Sequence, residues 1–341
     1  MLTAAEVKKF ALAHGADMAG VANIERFEGA PVQMDPRQIM PEARSVIGLV
    51  FRVMRGSLRG VEEGTFFSNY SAMGYGGLTY LYMPMTVINI ARFIEDAGYE
   101  AIPYGHQSDW RAIGQQGELR DGYSRPVAPG RAAPDVMVHL RMAAFLAGLG
   151  EIGFSKMFLS PRFGPRNRVG IVITEAELEP DPLYDGPPLC NRCMACVEAC
   201  PVGAFPRDRT VKVTVAGRQL EWADMDMKAC QYGLIGGAPM ADDEEAPEYH
   251  DPVLGRRVKP GSHTPFYRKP RNLYNTGTAI CGAAGCTRAC MMSLEARGVL
   301  ANRFKQPFRR RKPWSVDWSR PADAPQPQQN VARDSSETEV D

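Results

Sequence analysis

Residues 189–205 read LCNRCMACVEACPVGAF. Four cysteines stand in the spacing C-x2-C-x2-C-x3-C, with a proline straight after the last. That spacing is typical of iron–sulfur ligation, in which successive thiolates take different irons of one cubane. Structural zinc is the alternative, since pairs of C-x2-C also hold zinc. Three cysteines at x2-x2 intervals suit a cubane corner better than one tetrahedral ion.

All eight cysteines of the chain lie between positions 190 and 290. Eight makes two sets of four with none left over. In two-cluster ferredoxins the fourth cysteine of the C-x2-C-x2-C-x3-C-P run ligates the other cluster. Applied here, Cys190, Cys193 and Cys196 take three irons of a first [4Fe–4S] cluster, and Cys200 crosses to a second. The later run, CGAAGCTRAC, returns the exchange: Cys290 completes the first cluster, while Cys281 and Cys286 join Cys200 and Cys230 on the second. This run departs from the plain pattern, with a four-residue first gap and Met291 where proline is expected. Cys230, in MKACQYG, carries no motif of its own.

Working outward, residues 1–182 contain no cysteine and read as alternating helix and strand. TAAEVKKFALAHG has apolar residues at helical spacing, with Gly15 as its stop. SVIGLVFRV (45–53) and NRVGIVITEAEL (167–178) read as strands, as does YEAIPYG. TVINIARFIEDAG (86–98) reads as an amphipathic helix ended by Gly98, and 136–150 as a strongly apolar one. This alternation predicts helices packed on a sheet, a mixed α/β class. The expected division is an α/β domain over 1–182, a cluster domain with a loop insert over 183–312, and a largely disordered tail over 313–341. The acidic run 242–245 and the basic stretch FKQPFRRRKP (304–313) read as solvated faces.

Bulk properties limit the function classes. At 341 residues and a net charge of +1, the chain can bury a sizeable core and has no general attraction to nucleic acid or anionic membrane. No window approaches 18 uninterrupted apolar residues, so no membrane span is expected. MLTAAEVKKFALAHGADMAG has no apolar run after a basic patch and no twin arginine. The expected compartment is therefore the cytoplasm, where cysteines are more often metal ligands than disulfides. G-x-G-x-x-G after a strand and G-x4-G-K-[ST] are both missing, which argues against a dinucleotide fold and a P-loop.

A 180-residue partner to a cluster module must bind a substrate or another redox group. The AGLGEIG turn, the FGPR segment, the strand leading to LEPD and the cysteine run after it resemble the corresponding region of the reductive dehalogenase superfamily. YLYMPMTVINIARFIEDAGYEAIP resembles the helix-and-strand unit upstream of it, and epoxyqueuosine reductases share the architecture. The resemblance implies a nitroreductase-like cobalamin-binding α/β domain followed by a two-cluster ferredoxin-like domain. It also implies a base-off cobalamin with no histidine on cobalt, and the chain has no D-x-H-x-x-G motif. The implied reaction replaces halogen by hydrogen on an organohalide, aromatic ones included. Electrons would come from reduced ferredoxin, flavodoxin or a reductase.

By the same resemblance a tyrosine supplies the proton, assisted by a basic side chain. Tyr80 and Tyr82 are the candidates, with Arg141 as the partner whose charge would lower a tyrosine pKa. His106 and His139 read as hydrogen-bonded structural residues. Epoxyqueuosine reductases place an acid before the segment aligned to RMAAFLAGLG, and VHLRMAAF has no carboxylate. That favours dehalogenase-like chemistry. An epoxyqueuosine-type reduction, or electron transfer to the corrinoid of another protein, stands as the alternative.

Overall fold

Four strands form the central sheet, in the order β1 (Met18–Asn23), β2 (Ser45–Arg52), β6 (Asn167–Thr174) and β3 (Ala101–Tyr104), each neighbour antiparallel. This computed structural model describes residues 2–66, 69–106, 124–200, 202–227, 229–230, 249–251, 256–258 and 285–308. β2 is buried at seven successive positions because both faces of the sheet are covered. Ile47, Leu49 and Phe51 belong to the core beneath helices α1 (Ala4–Ala13) and α3 (Met83–Asp96). Val46 and Val50, with Val169, Ile171 and Ile173, belong to the opposite core beneath α4 (Leu140–Leu146). The mixed α/β class expected from the sequence is present.

Helix α1 starts where a capping box allows it. Thr3 Oγ1 accepts the Glu6 N–H, and the Glu6 carboxylate accepts the Thr3 N–H at 2.9 Å. Gly15 follows at φ +112°, where a Cβ would lie 2.4 Å from the Tyr82 hydroxyl oxygen. The helix expected over 86–98 begins earlier, at Met83, because it continues a π-helical segment, Tyr70–Tyr82. Such wide coils are rare at this length and concentrate at functional sites.

The apolar helix expected over 136–150 is a correction: only Leu140–Leu146 is helical. Residues 136–138 are held extended by side chains and backbone from elsewhere. The Tyr104 hydroxyl donates to the Val136 carbonyl at 2.9 Å and accepts from the Val138 N–H at 3.1 Å, while the Met137 N–H donates to the Gln33 carbonyl. His139 then caps α4 through Nδ1, which accepts the Met142 N–H at 3.2 Å. The C-terminal end of α4 sits on two glycines paired across β1 and β2, Gly20 and Gly48. A Cβ on Gly48 would lie 2.8 Å from Ala147 Cβ, and one on Gly20 would meet the Ala147 carbonyl at 2.2 Å. Small residues here set the height of α4, and therefore of Arg141, above the sheet.

After α4 the chain makes a short hairpin, β4 (Glu151–Ile152) and β5 (Phe158–Leu159), before β6. The cysteine-bearing part follows. It comprises α5 (Ala195–Glu198), a hairpin of β7 (Thr210–Val215) and β8 (Arg218–Ala223), a small pair β9 (Tyr249–Asp251) and β10 (Arg256–Val258), and α6 (Cys286–Ala296). Ala216 (φ +47°) and Gly217 (φ +70°) form the two-residue turn between β7 and β8, the left-handed pair such hairpins need. The stretch 179–188 is not slack where it passes β1: Asp181 accepts from Lys8 Nζ at 2.6 Å and from the Val21 N–H at 2.9 Å. A short helix, α2 (Arg59–Glu63), precedes the π-helical segment. No helix among the described residues is long and apolar enough to cross a membrane. Cys281, the acidic run 242–245, residues 309–313 and the tail 313–341 lie outside the described residues.

Candidate functional site

The first cysteine run folds as a loop with two non-glycine residues in the left-handed region, Arg192 at φ +55° and Met194 at φ +60°. Such conformations cost energy and recur where a loop must aim its backbone N–H groups at an anionic centre. Phe154 N–H donates to Cys190 Sγ at 3.3 Å, and Ala204 N–H donates to Cys200 Sγ at 3.2 Å. Ser155 hydrogen-bonds Cys196. Donors aimed at sulfur favour thiolate and tune whatever metal the thiolate holds.

Cys290 feels the charges of Cys196, Cys190, Cys286 and Cys193, and Cys286 those of Cys230, Cys200 and Cys196. Cys196 thus lies close enough to feel both thiols of the later run, and Cys281 is outside the described residues. Burial pushes the Cys196, Cys200 and Cys290 thiols up, and the Cys286 thiol to about 12. Without a cation these groups hold their protons, and bound iron would reverse that preference. Among the described residues no three His, Cys, Asp or Glu side chains converge on one ion. A four-iron cluster makes no such demand, because each thiolate binds its own iron. An apolar shell of Phe154, Val202, Phe205 and Met225 packs around Cys190, Cys200, Cys230 and Cys286, and Leu189, Leu294 and Leu300 pack around Cys290. The residues present fit an iron–sulfur centre in donor type, with Cys193 exposed and the other described thiols buried or half-buried.

The AGLGEIG motif has a physical role in this arrangement. Its Glu151 carboxylate accepts the N–H groups of Leu189 and Cys190 at the start of the cysteine loop, although burial raises its pKa. The turn after it, residues 153–157, supplies Phe154 and Ser155 to the sulfurs and Lys156 to Arg141. Arg141 Nη1 donates to the Lys156 carbonyl at 2.6 Å. Lys156 is buried, sits at φ +58°, and places its ammonium 5.2 Å from the centre of the Trp222 ring. The positive charge of Arg141 also reaches Cys286. Sequence reasoning missed Glu151, Phe154, Ser155 and Lys156. Only their place in a glycine-rich turn ahead of the cysteines marked them.

His139 lies beside Arg141 and Lys156. Burial first, then those two positive charges, pushes its pKa down to about 3, so the imidazole is neutral. Its Nδ1 is taken by the Met142 N–H, which gives it the structural role expected of it.

Tyr80 and Tyr82 are half exposed, at 49% and 50%, on the π-helical segment. The hydrogen bonds of the three proposed catalytic residues go to different partners. Tyr82 donates to the Gly15 carbonyl at 3.3 Å, Tyr80 shares a 3.1 Å bond with the Tyr75 hydroxyl, and Arg141 holds the Lys156 carbonyl. Tyr80 also meets the His106 ring edge-on at 5.9 Å, and the Arg168 guanidinium lies 5.0 Å from the centre of the Tyr75 ring. Arg141 therefore contacts the turn that touches the thiols, and Tyr80 contacts an aromatic and cationic cluster.

Fold and site together define a mixed α/β protein with a cysteine-bearing part after its sheet. No protein-family model matches the chain. It is similar to the tetrachloroethene reductive dehalogenase of Desulfitobacterium hafniense, 30% identical over 139 residues, which is 40% of this chain and 20% of that protein. The same figures hold for the tetrachloroethene reductive dehalogenase of Dehalobacter restrictus. Similarity to the epoxyqueuosine reductase of Synechococcus sp. is 35% over 107 residues, 30% of this chain and 33% of that protein. Among solved structures, a reductive dehalogenase described as B12-dependent covers 85% of this chain and 36% of its own at 16% identity, with a TM-score of 0.46. Over part of its length the chain is similar to tetrachloroethene reductive dehalogenases and an epoxyqueuosine reductase, and its matches span a fifth to a third of those curated relatives' length.

Proposed function

We propose that the chain is a cobalamin-dependent reductase of the reductive dehalogenase type, carrying two [4Fe–4S] clusters. The observation that carries this reading is the turn 153–157, which touches the cysteine sulfurs through Phe154 and Ser155 and holds Arg141 through Lys156. In this reading Cys190, Cys193, Cys196 and Cys290 hold one cluster, and Cys200, Cys230, Cys281 and Cys286 hold the other. Domain limits at 182 and 312 follow from the same reading. Cobalamin, when bound, supplies a low-potential metal centre able to break a carbon–halogen bond; it enters from the relatives. The chain's own part is to pack apolar side chains around Cys190, Cys200, Cys230, Cys286 and Cys290, to hold Arg141 beside them, and to offer Tyr80 or Tyr82 as proton donor. Arg141 would stabilise the anion that develops at the substrate. The substrate class is an organohalide and the electron donor a ferredoxin, flavodoxin or reductase.

The test is anaerobic turnover by the cobalamin-reconstituted chain with a chemical reductant and halogenated phenols or alkenes. Halide release that depends on both cobalamin and iron supports the proposal. Similarity to an epoxyqueuosine reductase favours a second reading, epoxide reduction on a modified nucleoside. Reduction of an epoxyqueuosine stem-loop without halide release would select it. Stoichiometric reduction of a separate corrinoid protein, with neither turnover, would select electron transfer.

A further inference from the structure

Helix α6 carries Cys286 and Cys290 four residues apart on one face, and the proposed function puts them on different clusters. At 3.6 residues per turn, Arg288 and Glu295 fall on the roughly opposite face. That face docks on the segment of residues 55–63, which contains its own pair seven residues apart, Arg55 and Glu62. The charges match in antiparallel order. Arg288 grips the Glu62 carboxylate with two nitrogens, one of them Nη2 at 2.9 Å, and Arg55 Nη1 meets Glu295 Oε2 at 2.8 Å. Both rungs are shielded: side-chain exposure is 10% and 1% for the first pair, and 14% for each member of the second. Arg55 is also fixed from the other side, donating to the Gln306 carbonyl at 2.9 Å and lying 3.6 Å from the centre of the Phe304 ring.

We infer that Arg55 and Glu62 are positioning residues for both clusters: their two-rung charge ladder fixes the register of α6, and so where Cys286 and Cys290 stand. A buried carboxylate needs its partner, and a one-turn slip of α6 would separate Arg288 from Glu62 and Glu295 from Arg55 at once. The ladder thus specifies one docking of α6, while apolar contacts such as Met291 and Leu294 would tolerate several. A residue 226 positions upstream of Arg288 thereby sets both metal groups together.

The inference rests on the cluster reading. Its test compares the full-length chain, reconstituted anaerobically, with Glu62→Gln, Arg55→Glu and the swapped pair Arg55→Glu/Glu295→Arg. Iron and sulfide per chain and the EPR spectrum of the reduced protein are read in each. Glu62→Gln is expected to lower iron about twofold or more, or to shift both cluster signals together, because both thiols ride on one helix. Cys193→Ala should alter one signal only. Arg55→Glu should reproduce the joint effect, and adding Glu295→Arg should recover most of the loss. Wild-type iron and unshifted signals in Glu62→Gln and Arg55→Glu, or a change confined to one cluster, would overturn the inference. If Glu62→Gln does not fold, the second rung decides, and a swapped pair no better than Arg55→Glu overturns it. Wild-type protein that takes up no iron would instead refute the cluster reading itself.

Discussion

His139 makes acid sensitivity a direct readout of the Arg141 environment. Its imidazole must stay neutral, because Nδ1 accepts the Met142 N–H at 3.2 Å and two cations stand beside it. The pKa falls from an ordinary 6.5 to about 3 on folding. Between those values the unfolded chain binds a proton that the folded chain does not. Stability from this group is therefore complete above pH 6.5 and is lost as pH falls toward 3. Each pH unit in that window is worth at most about 1.4 kcal/mol, so acidifying from 6.5 to 5 removes up to about 2 kcal/mol. Residual solvent contact of the ring reduces this to about 1 kcal/mol. His139→Asn keeps a side-chain acceptor suited to the N-cap and removes the titration. The assay is anaerobic urea unfolding of both proteins at several pH values from 5 to 7.5. The stability difference between wild type and His139→Asn should change by about 1–2 kcal/mol over that range, with wild type the more acid-sensitive. Parallel pH profiles would refute the reasoning.

Further outcomes follow from the same geometry. Gly48→Val puts a Cβ 2.8 Å from Ala147 Cβ, so α4 must lift off the sheet; a loss of about 1–3 kcal/mol is expected, read as a lower urea midpoint, and an unchanged midpoint would contradict it. Since burial holds the Cys196, Cys200, Cys286 and Cys290 thiols protonated without metal, iron uptake releases protons, and a chelator should strip iron faster at pH 6 than at pH 8. Release rates independent of pH would count against iron on these thiols. Tyr80→Phe or Tyr82→Phe should abolish turnover and leave iron content unchanged, whereas full activity in both variants would remove the tyrosines from the mechanism.

The sequence carried its information unevenly. The cysteine spacing carried the iron–sulfur expectation because metal ligation constrains residue type and interval together. Helix α1 was legible because capping and apolar period agree within a dozen residues, and β2 because a strand covered on both faces is continuously apolar. Helix α4 was overestimated: nothing in VMVHLRMAAFLAGLG shows that Tyr104 and Gln33 would hold residues 136–138 extended. The β7–β8 hairpin was available in the alternation of TVKVTV and the Ala-Gly turn, yet went unread. Glu151, Lys156 and the Arg55–Glu62 ladder were out of reach, because a charged residue that will be buried looks in sequence like one that will be solvated. Their partners lie 15 to more than 220 positions away.

The central claim is that two iron–sulfur clusters serve a cobalamin in this chain. It is tested most directly by the anaerobic EPR and absorption spectra of protein purified with cobalamin supplied and then reduced stepwise. The account predicts a base-off cob(II)alamin signal together with two [4Fe–4S] signals, one lost in Cys193→Ala and the other in Cys286→Ala. Both clusters present with no corrin retained, or zinc in place of iron, would contradict it.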